Sequence, residues 1–366
     1  MTRAKRDVNV ELLRILGACM VIGTHIKPPT TVKGALVPAR VWISCLVGDG
    51  VAIFWMILGF FCFGQTDAKK RLSQLLWRVV LPMAAFTAFM FYFHDFIVGT
   101  DTLLGSISHT PHEYRVVLEQ ALLHWHSETA ATGHFWYLWV YILVTLTLPA
   151  LKGARDALVS DGRRDGWLLG LTLGVLIYND VTGNDFFGFT HHTFGALPGA
   201  FVWMLTGDIL YRRRALYAGR KSLALAGFVC AAAVTLLRTW AQYRCLLADP
   251  ENNLPLFWYT SFAYLHVLAL TVGVFGLSSL WARRPLSGII AHLGGMTFGV
   301  YVWHLVVAEK LRALGVRRWL SRQLCGTEPG TVAYTAIYVA VIFIISLALA
   351  ELCALPRRLL GCAGRR

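Results

Sequence analysis

The chain carries long apolar segments from end to end, and they limit what it can fold into more than any other feature. Of its 366 residues, 56% are hydrophobic and only 15% are charged, whereas soluble domains carry about a quarter charged residues. A run of roughly 17 to 25 apolar residues is long enough to cross the bilayer as a helix. The sequence therefore predicts an all-α, polytopic membrane helical bundle, formed by one transmembrane domain over residues 1–366 with no appended soluble domain.

Ten such segments can be distinguished, and the basic residues between them indicate their orientation. The predicted spans are 8–26, 41–63, 74–96, 134–151, 166–181, 194–211, 222–240, 258–281, 289–307 and 331–355. With a cytoplasmic amino terminus, 21 Lys and Arg residues fall on cytoplasmic segments and 10 on outer segments. The positive-inside rule then predicts that both termini are cytoplasmic and that the long connections 97–133 and 241–257 face outward.

This orientation also accounts for much of the net charge of +14. No nucleic-acid-binding module is recognisable, so we expect no nucleic acid partner. The eight cysteines show no CxxC spacing and resemble packing residues more than a disulfide or zinc framework. The pairs His109-x-x-His112 and His191-His192 lack a carboxylate or cysteine at a diagnostic ligand spacing, so we expect no metal.

The first apolar segment contains three ionisable residues, Glu11, Arg14 and His25. It has no small-x-small cleavage site, so we expect it to remain as a membrane helix. At about 100° per residue, Arg14 and His25 project from nearly the same face and are separated by roughly 16 Å along the axis. Glu11 precedes Arg14 by three positions and can pair with it across one turn. Such residues indicate a functional site; snorkelling of Arg14 and an interfacial His25 are the alternatives.

Four ordered motifs resemble the membrane-bound acyltransferase-3 family, which O-acylates cell-surface glycans. They are Arg14 and His25 with ten residues between them, GDGVAIFWMILGFF at 48–61, GHFWYLWVYILVTLTLPAL at 133–151 and FGVYVWHLVV at 298–307. The chain departs from the family pattern at Ala52, where an acidic residue is frequent, at Leu58, where serine is usual, and at Leu305, where proline commonly follows the histidine. The basic pair of the third helix is also more widely spaced, with Arg71 and Arg78 seven positions apart.

The resemblance implies an O-acyltransferase of the bacterial inner membrane. Its acyl donor would be cytoplasmic acetyl-CoA, and its acceptor would be a hydroxyl of a surface polysaccharide or of a lipid-linked glycan precursor. His25 would act as the base or acyl acceptor, with Arg14 and Glu11 as further catalytic residues. A histidine titrates near neutral pH and suits the transfer of a hydroxyl proton.

The resemblance also implies binding residues for both substrates. The phosphates of acyl-CoA require cations, and the candidates are Arg14, Lys70, Arg71 and Arg78. Anchoring by the positive-inside rule and contact with lipid headgroups are alternative explanations for these basic residues. The candidate acceptor-binding residues are Trp136, Tyr137, Tyr301 and His304. An interfacial aromatic belt and a buried, hydrogen-bonded histidine are the alternatives for them.

Two other functions remain open at this point. Transfer of succinyl in place of acetyl would follow from the same motifs, and a secondary transporter or flippase could also carry Arg and His within its spans. Broken helices at mid-membrane are typical of transporters. Pro82 and Pro149 are expected near helix ends, which gives that interpretation little support.

Overall fold

A computed structural model of the protein describes residues 6–26, 31–32, 35–64, 67–108, 115, 133–159, 164–182, 196–248, 260–281 and 285–363. Within these residues the fold is helical, apart from two strands of two residues each, β1 (Thr31–Val32) and β2 (Ala35–Leu36), which pair antiparallel. The predicted all-α class is therefore confirmed.

The α-helices of the described part of the chain are numbered in chain order. They are α1 (Val8–Ile26), α2 (Pro38–Val47), α3 (Gly50–Cys62), α4 (Ala68–Leu75), α5 (Leu81–Val98), α6 (Leu103–Ile107), α7 (Trp136–Leu158), α8 (Asp165–Thr182), α9 (Ala196–Arg212), α10 (Lys221–Ala248), α11 (Thr260–Gly276), α12 (Ser278–Trp281), α13 (Leu286–Ala313), α14 (Val316–Leu324) and α15 (Glu328–Ala363). A π-helical segment, Leu76–Val80, joins α4 to α5 without a break.

Seven helical segments within the described residues are long and apolar enough to cross a membrane. They are Val8–Ile26, Pro38–Cys62, Ala68–Val98, Trp136–Leu158, Lys221–Ala248, Leu286–Ala313 and Glu328–Ala354. The chain is therefore a multi-pass membrane protein. The other three predicted spans contain α8, α9 and α11, which do not reach that length and hydropathy. The number of ten spans and the cytoplasmic location of both termini stay predictions.

The chain divides into two compact units, unit 1 (Met1–Gly50 with Leu277–Arg366) and unit 2 (Val51–Gly276). In unit 1, α1 packs along α13 and α15, and α2 packs against α1 and α15. In unit 2, α10 and α11 form an antiparallel pair, since a Cβ at Gly227 would meet Ala269 and one at Gly276 would meet Ala224, and α8 packs on α11. The predicted single domain over 1–366 stays a prediction.

Helix α1 has the bounds that its apolar pattern predicts. The Asp7 carboxylate accepts a hydrogen bond from the backbone N–H of Asn9 at 3.0 Å, which satisfies one of the free N–H groups of the first turn. The middle of the helix approaches the α2–α3 junction closely, because a Cβ at Gly50 would lie 2.8 Å from the Gly17 carbonyl oxygen. This contact fixes the register between α1 and the segment that follows α2.

The structure corrects several predicted boundaries. The predicted span 41–63 is not one helix, since Gly48 and Asp49 form a turn between α2 and α3. Pro149 lies inside α7, with nine residues after it, and not near a helix end. Pro82 likewise lies within the continuous helical segment Ala68–Val98. Helix α10 continues to Ala248, into the predicted loop 241–257, because its helical sequence extends beyond its apolar run.

Candidate active site

Glu11 and Arg14 form the ion pair that their spacing predicts. The guanidinium Nη1 of Arg14 donates to Glu11 Oε1 at 2.9 Å across one turn of α1. The Glu11 side chain is only 4% exposed, whereas that of Arg14 is 32% exposed. The buried carboxylate therefore fixes the direction of a guanidinium that still has open donors, because a guanidinium has five N–H groups.

Two glycines of α13 make room for this pair. A Cβ at Gly294 would lie 2.8 Å from the Glu11 carbonyl oxygen and would collide with its carboxylate. A Cβ at Gly295 would collide with Arg6, whose Nη1 lies 3.9 Å from Glu11 Oε1 and donates to the Ala291 carbonyl at 3.2 Å. The amino-terminal parts of α1 and α13 are therefore held together around one buried carboxylate. Arg6 also contacts this carboxylate, and the sequence did not predict that contact.

At the other end of α1, His25 lies against His304 of α13. The centroids of the two imidazole rings are 5.3 Å apart, and the planes are inclined by 44°. Tyr301 lies one turn before His304, with its ring centroid 5.7 Å from that imidazole. His304 is buried, with 1% of its surface exposed, whereas His25 is exposed. One buried and one accessible histidine thus occupy the same end of unit 1.

The orientation of the His304 ring is set by its own helix. Its Nδ1 atom lies 2.6 Å from the Tyr301 carbonyl oxygen. A carbonyl can only accept a hydrogen bond, so Nδ1 is the protonated nitrogen. In the neutral ring Nε2 then carries the lone pair, and a backbone contact of this kind is the usual way in which a histidine tautomer is fixed.

Five of the predicted site residues therefore belong to unit 1 and lie along the contact between α1 and α13. Glu11 and Arg14 lie at the end near Gly294, and His25, Tyr301 and His304 lie at the opposite end. The rise of an α-helix separates Arg14 from His25 by about 16 Å. The roles assigned to these residues stay predictions.

The predicted donor-binding cations lie in unit 2, on one helical segment. Lys70 and Arg71 are in the first turn of α4, where the Asp67 carboxylate caps the helix by accepting from the Lys70 backbone N–H at 2.9 Å. Lys70 is exposed and Arg71 is half-buried. The Arg71 Nε atom has no hydrogen-bond partner among the described residues. The exposed Lys70 side chain is accessible to an anion.

Arg78 lies in the π-helical segment and is exposed. Pro82 has no N–H to donate to the Arg78 carbonyl, and its ring would crowd that carbonyl in a regular helix. The backbone instead widens by one residue, with the Leu81 N–H bonded to the Leu76 carbonyl. Turns of this kind are frequent at functional positions. Arg71 and Arg78 lie about 10 Å apart along the segment.

Trp136 and Tyr137 open α7 and are half-buried, as their place at a predicted interface suggests. The Tyr137 ring lies 4.4 Å from the Trp55 ring and 6.1 Å from the Phe54 ring, centroid to centroid. Both partners belong to α3, within the motif at 48–61. The structure thus joins two of the sequence motifs in one aromatic cluster of unit 2.

An ion-pair network at the ends of α7, α8 and α9 was not predicted. Asp208 accepts from Arg155 Nε at 2.8 Å and from Arg212 Nε at 3.0 Å, and Asp165 accepts from Arg213 Nε at 2.7 Å. Both carboxylates are buried. Asp208 is the sequence feature that could have indicated this network, because a carboxylate within a predicted span requires a partner.

Two further buried groups of unit 2 had no predicted role. Arg238 of α10 lies within the predicted span 222–240 and is 2% exposed, and His266 of α11 is also buried. Among the described residues, no group of three or more His, Cys, Asp or Glu side chains could hold a metal ion. The pairs His109-x-x-His112 and His191-His192 lie outside the described residues.

Comparison with known proteins identifies a family and a distant relative. A family model described as an acyltransferase domain matches residues 7–351. The chain is 24% identical over 267 residues to a protein named "Putative acetyltransferase ORF330" of Acidianus two-tailed virus, an alignment that covers 69% of each protein. No solved structure gives a significant match to the chain.

Proposed function

Because the chain belongs to the acyltransferase-3 family, it is a membrane-embedded acyltransferase, and we propose that it transfers acetyl from acetyl-CoA to a hydroxyl of a surface glycan. The acceptor in this proposal is a surface polysaccharide or a lipid-linked glycan precursor, and the location is the bacterial inner membrane. The observation that supports it most is the placement of two polar pairs at opposite ends of the α1–α13 contact, Glu11–Arg14 and His25–His304.

In the proposed reaction His25 is the general base. It removes the proton of the acceptor hydroxyl while that oxygen attacks the thioester carbonyl carbon. The resulting tetrahedral oxyanion collapses, the carbon–sulfur bond breaks, and the CoA thiolate leaves and takes up the proton. Water or hydroxide is not consumed, so the products are the O-acyl ester and free CoA thiol.

His304 acts in this proposal as a positioning residue. Its Nδ1–H is held by the Tyr301 carbonyl, so the ring that faces His25 keeps one orientation. A fixed neighbouring ring limits the rotation of the exposed imidazole and so favours one direction of proton transfer. Tyr301 and His304 are also the acceptor-binding candidates on α13.

Arg14 is proposed to contact the donor on its way to His25. A cation and a base about 16 Å apart on one helix face suit an extended molecule whose charged end and reacting thioester are well separated. Glu11 holds the Arg14 guanidinium in place. In unit 2, Lys70, Arg71 and Arg78 are proposed to bind donor phosphates, and Trp136 and Tyr137 to stack against sugar rings.

Two observations bear on the alternatives. A turn at Gly48–Asp49 interrupts the helical segment Pro38–Cys62, and interrupted helices are typical of transporters. The family match, however, shows that the chain is an acyltransferase. Succinyl transfer remains a second candidate, because the motifs at 14–25, 48–61, 133–151 and 298–307 do not distinguish one acyl group from the other.

The donor can be identified with purified protein in liposomes that contain a membrane glycan fraction as acceptor. Free thiol is measured with acetyl-CoA or succinyl-CoA, for the wild type and for His25→Ala. We expect acceptor-dependent thiol release from acetyl-CoA that falls by about 10²-fold or more in the variant. Release from succinyl-CoA alone would replace the acetyl proposal, and equal release by His25→Ala would remove His25 from the mechanism.

A further inference from the structure

The short helix α14 lies across the end of two neighbouring helices of unit 1. It begins directly after α13, and the backbone turns at Gly315, which has a left-handed φ of 76°. Its other end meets the first turn of α15, where a Cβ at Gly330 would collide with the Leu324 carbonyl oxygen. Both ends of α14 are therefore level with the ends of α13 and α15 that it connects.

Helices α13 and α15 form an antiparallel pair. A Cβ at Gly299 would meet Ala350, and further along α13 the Ala308 carbonyl accepts a hydrogen bond from the Tyr338 hydroxyl at 3.5 Å. Both helices contain segments that are long and apolar enough to cross a membrane. A helix that lies across the end of such a pair is at the membrane surface, whichever way the chain is oriented.

Helix α14 has one packed face and one exposed face. At about 100° per residue, Arg318, Trp319 and Arg322 fall within an arc of about 100°. All three side chains are exposed, and 61% of the Trp319 surface is accessible. Leu320 is buried on the other side, where α14 packs on α13 and α15. Two guanidinium groups and an indole ring are therefore presented together, away from the packed helices.

The charge of this exposed face is not neutralised by the part of the chain that the structure describes. Neither Arg318 nor Arg322 has a carboxylate partner there. The connecting segment 308–330 contains five basic residues and two acidic ones, and one of the acidic residues, Glu328, accepts a hydrogen bond from the Ala39 backbone N–H at 2.6 Å. The face is therefore complementary to an anion.

The apolar neighbours of the two arginines favour a lipid over a soluble anion. Leu314, at the start of the turn into α14, is 64% exposed, and the Trp319 indole lies between the charged positions of the helix. Tryptophan is enriched where headgroups meet hydrocarbon. Guanidinium groups match the geometry of phosphate oxygens. An indole and an aliphatic side chain beside two guanidinium groups therefore suit both parts of a phospholipid.

We propose that Arg318, Trp319 and Arg322 form a binding surface for anionic phospholipid, with α14 lying in the headgroup layer. The headgroup of phosphatidylcholine carries its own cation, which offsets its phosphate. A lipid such as phosphatidylglycerol has no such cation, so its phosphate is the better partner for two arginines that lack a carboxylate. This inference does not depend on the proposed acyltransferase reaction.

Lipid contact at α14 can be measured by photo-crosslinking in liposomes that contain phosphatidylcholine and phosphatidylglycerol. The photoreactive residue p-benzoylphenylalanine replaces Trp319, and lipid adducts are identified by mass spectrometry of the purified protein. The matched control site is Ile344 of α15, which is 62% exposed and has no basic residue within one turn. The arginines are tested with Arg318→Gln/Arg322→Gln and with the charge-conserving pair Arg318→Lys/Arg322→Lys.

We expect the ratio of phosphatidylglycerol to phosphatidylcholine adducts at the α14 site to exceed that at the α15 site by at least about threefold. The glutamine pair should bring the two ratios to within about 1.5-fold of each other, whereas the lysine pair should keep most of the enrichment because it keeps the charge. Salt at about 0.5 M should reduce the enrichment, since it screens exposed charges.

Equal adduct ratios at the two sites would overturn the proposal, and so would an enrichment that survives the loss of both arginines. Adducts with a second copy of the chain and none with lipid would assign the surface to a protein interface and overturn it as well. None of these measurements involves acyl transfer, so their outcome is separate from that for His25.

Discussion

The imidazole of His304 lies 5.3 Å from that of His25, although the two residues are far apart in sequence. The contact joins the end of α1 to the middle of α13, and the Tyr301 carbonyl holds the His304 ring in one tautomer. If this ring positions His25, replacing it should lower the turnover number and leave the fold intact.

We therefore expect His304→Ala to lower kcat of acyl transfer by at least about tenfold with a smaller change in KM. The matched control is His292→Ala, which removes an exposed histidine of the same helix that pairs with Glu351 at 2.9 Å. The measurement is thiol release at saturating acetyl-CoA with equal amounts of folded protein. Equal kcat in the two variants would show that His304 is only a packing residue.

The Glu11–Arg14 pair should contribute to both stability and activity. In Glu11→Gln the Arg14 guanidinium loses its anionic partner, and we expect a loss of about 1–3 kcal/mol in stability. The double variant Glu11→Gln/Arg14→Gln should recover part of that stability but none of the activity, because the donor contact is gone. Thermal unfolding in detergent and thiol release test the two parts, with Glu351→Gln as control. Full activity in the double variant would remove Arg14 from the mechanism.

Gly294 should be required for Glu11 to pack closely against α13. An added Cβ would lie 2.8 Å from the Glu11 carbonyl oxygen, so Gly294→Ala is expected to reduce stability by about 1–3 kcal/mol through overpacking. Gly288→Ala is the control on the same helix, because a Cβ there would meet nothing within 4 Å. It should be neutral or slightly stabilising. Comparable melting temperatures for the two variants would contradict the close contact of α1 with α13.

Arg71 and Arg78 should contribute to donor affinity through phosphate. We expect Arg71→Gln and Arg78→Gln each to raise KM for acetyl-CoA about tenfold with little change in kcat. S-acetylpantetheine has no phosphate, so its KM should not change. Lys221→Gln removes an exposed cation from unit 2, outside the α4–α5 segment, and is the control. An equal rise in KM for both donors would indicate a structural effect.

The sequence predicts more of α1 than of any other part of the site. Its bounds and the Glu11–Arg14 pair follow from helical periodicity, which is local. The proximity of His25 to His304 is a tertiary contact, so spacing within one helix could not reveal it. The family resemblance identified both as candidate site residues but did not indicate that they are neighbours. The roles of both remain predictions.

The misplaced boundaries have local causes that hydropathy does not register. The turn at Gly48–Asp49 interrupts a segment that is apolar on both sides. Hydropathy averaged over a whole span does not resolve a turn of two residues, so the segment was predicted as one helix. Pro149 is tolerated within α7, as prolines are in membrane helices whose freed carbonyl groups find other partners.

The central claim is that His25 receives the acceptor proton in an acyl transfer that crosses the membrane. It is tested most directly with inverted membrane vesicles that carry the protein or His25→Ala, incubated with radiolabelled acetyl-CoA. We predict label in the enclosed glycan and matching thiol release for the wild type, both reduced by about 10²-fold or more in His25→Ala at equal protein levels. Equal labelling by the two proteins would contradict the claim.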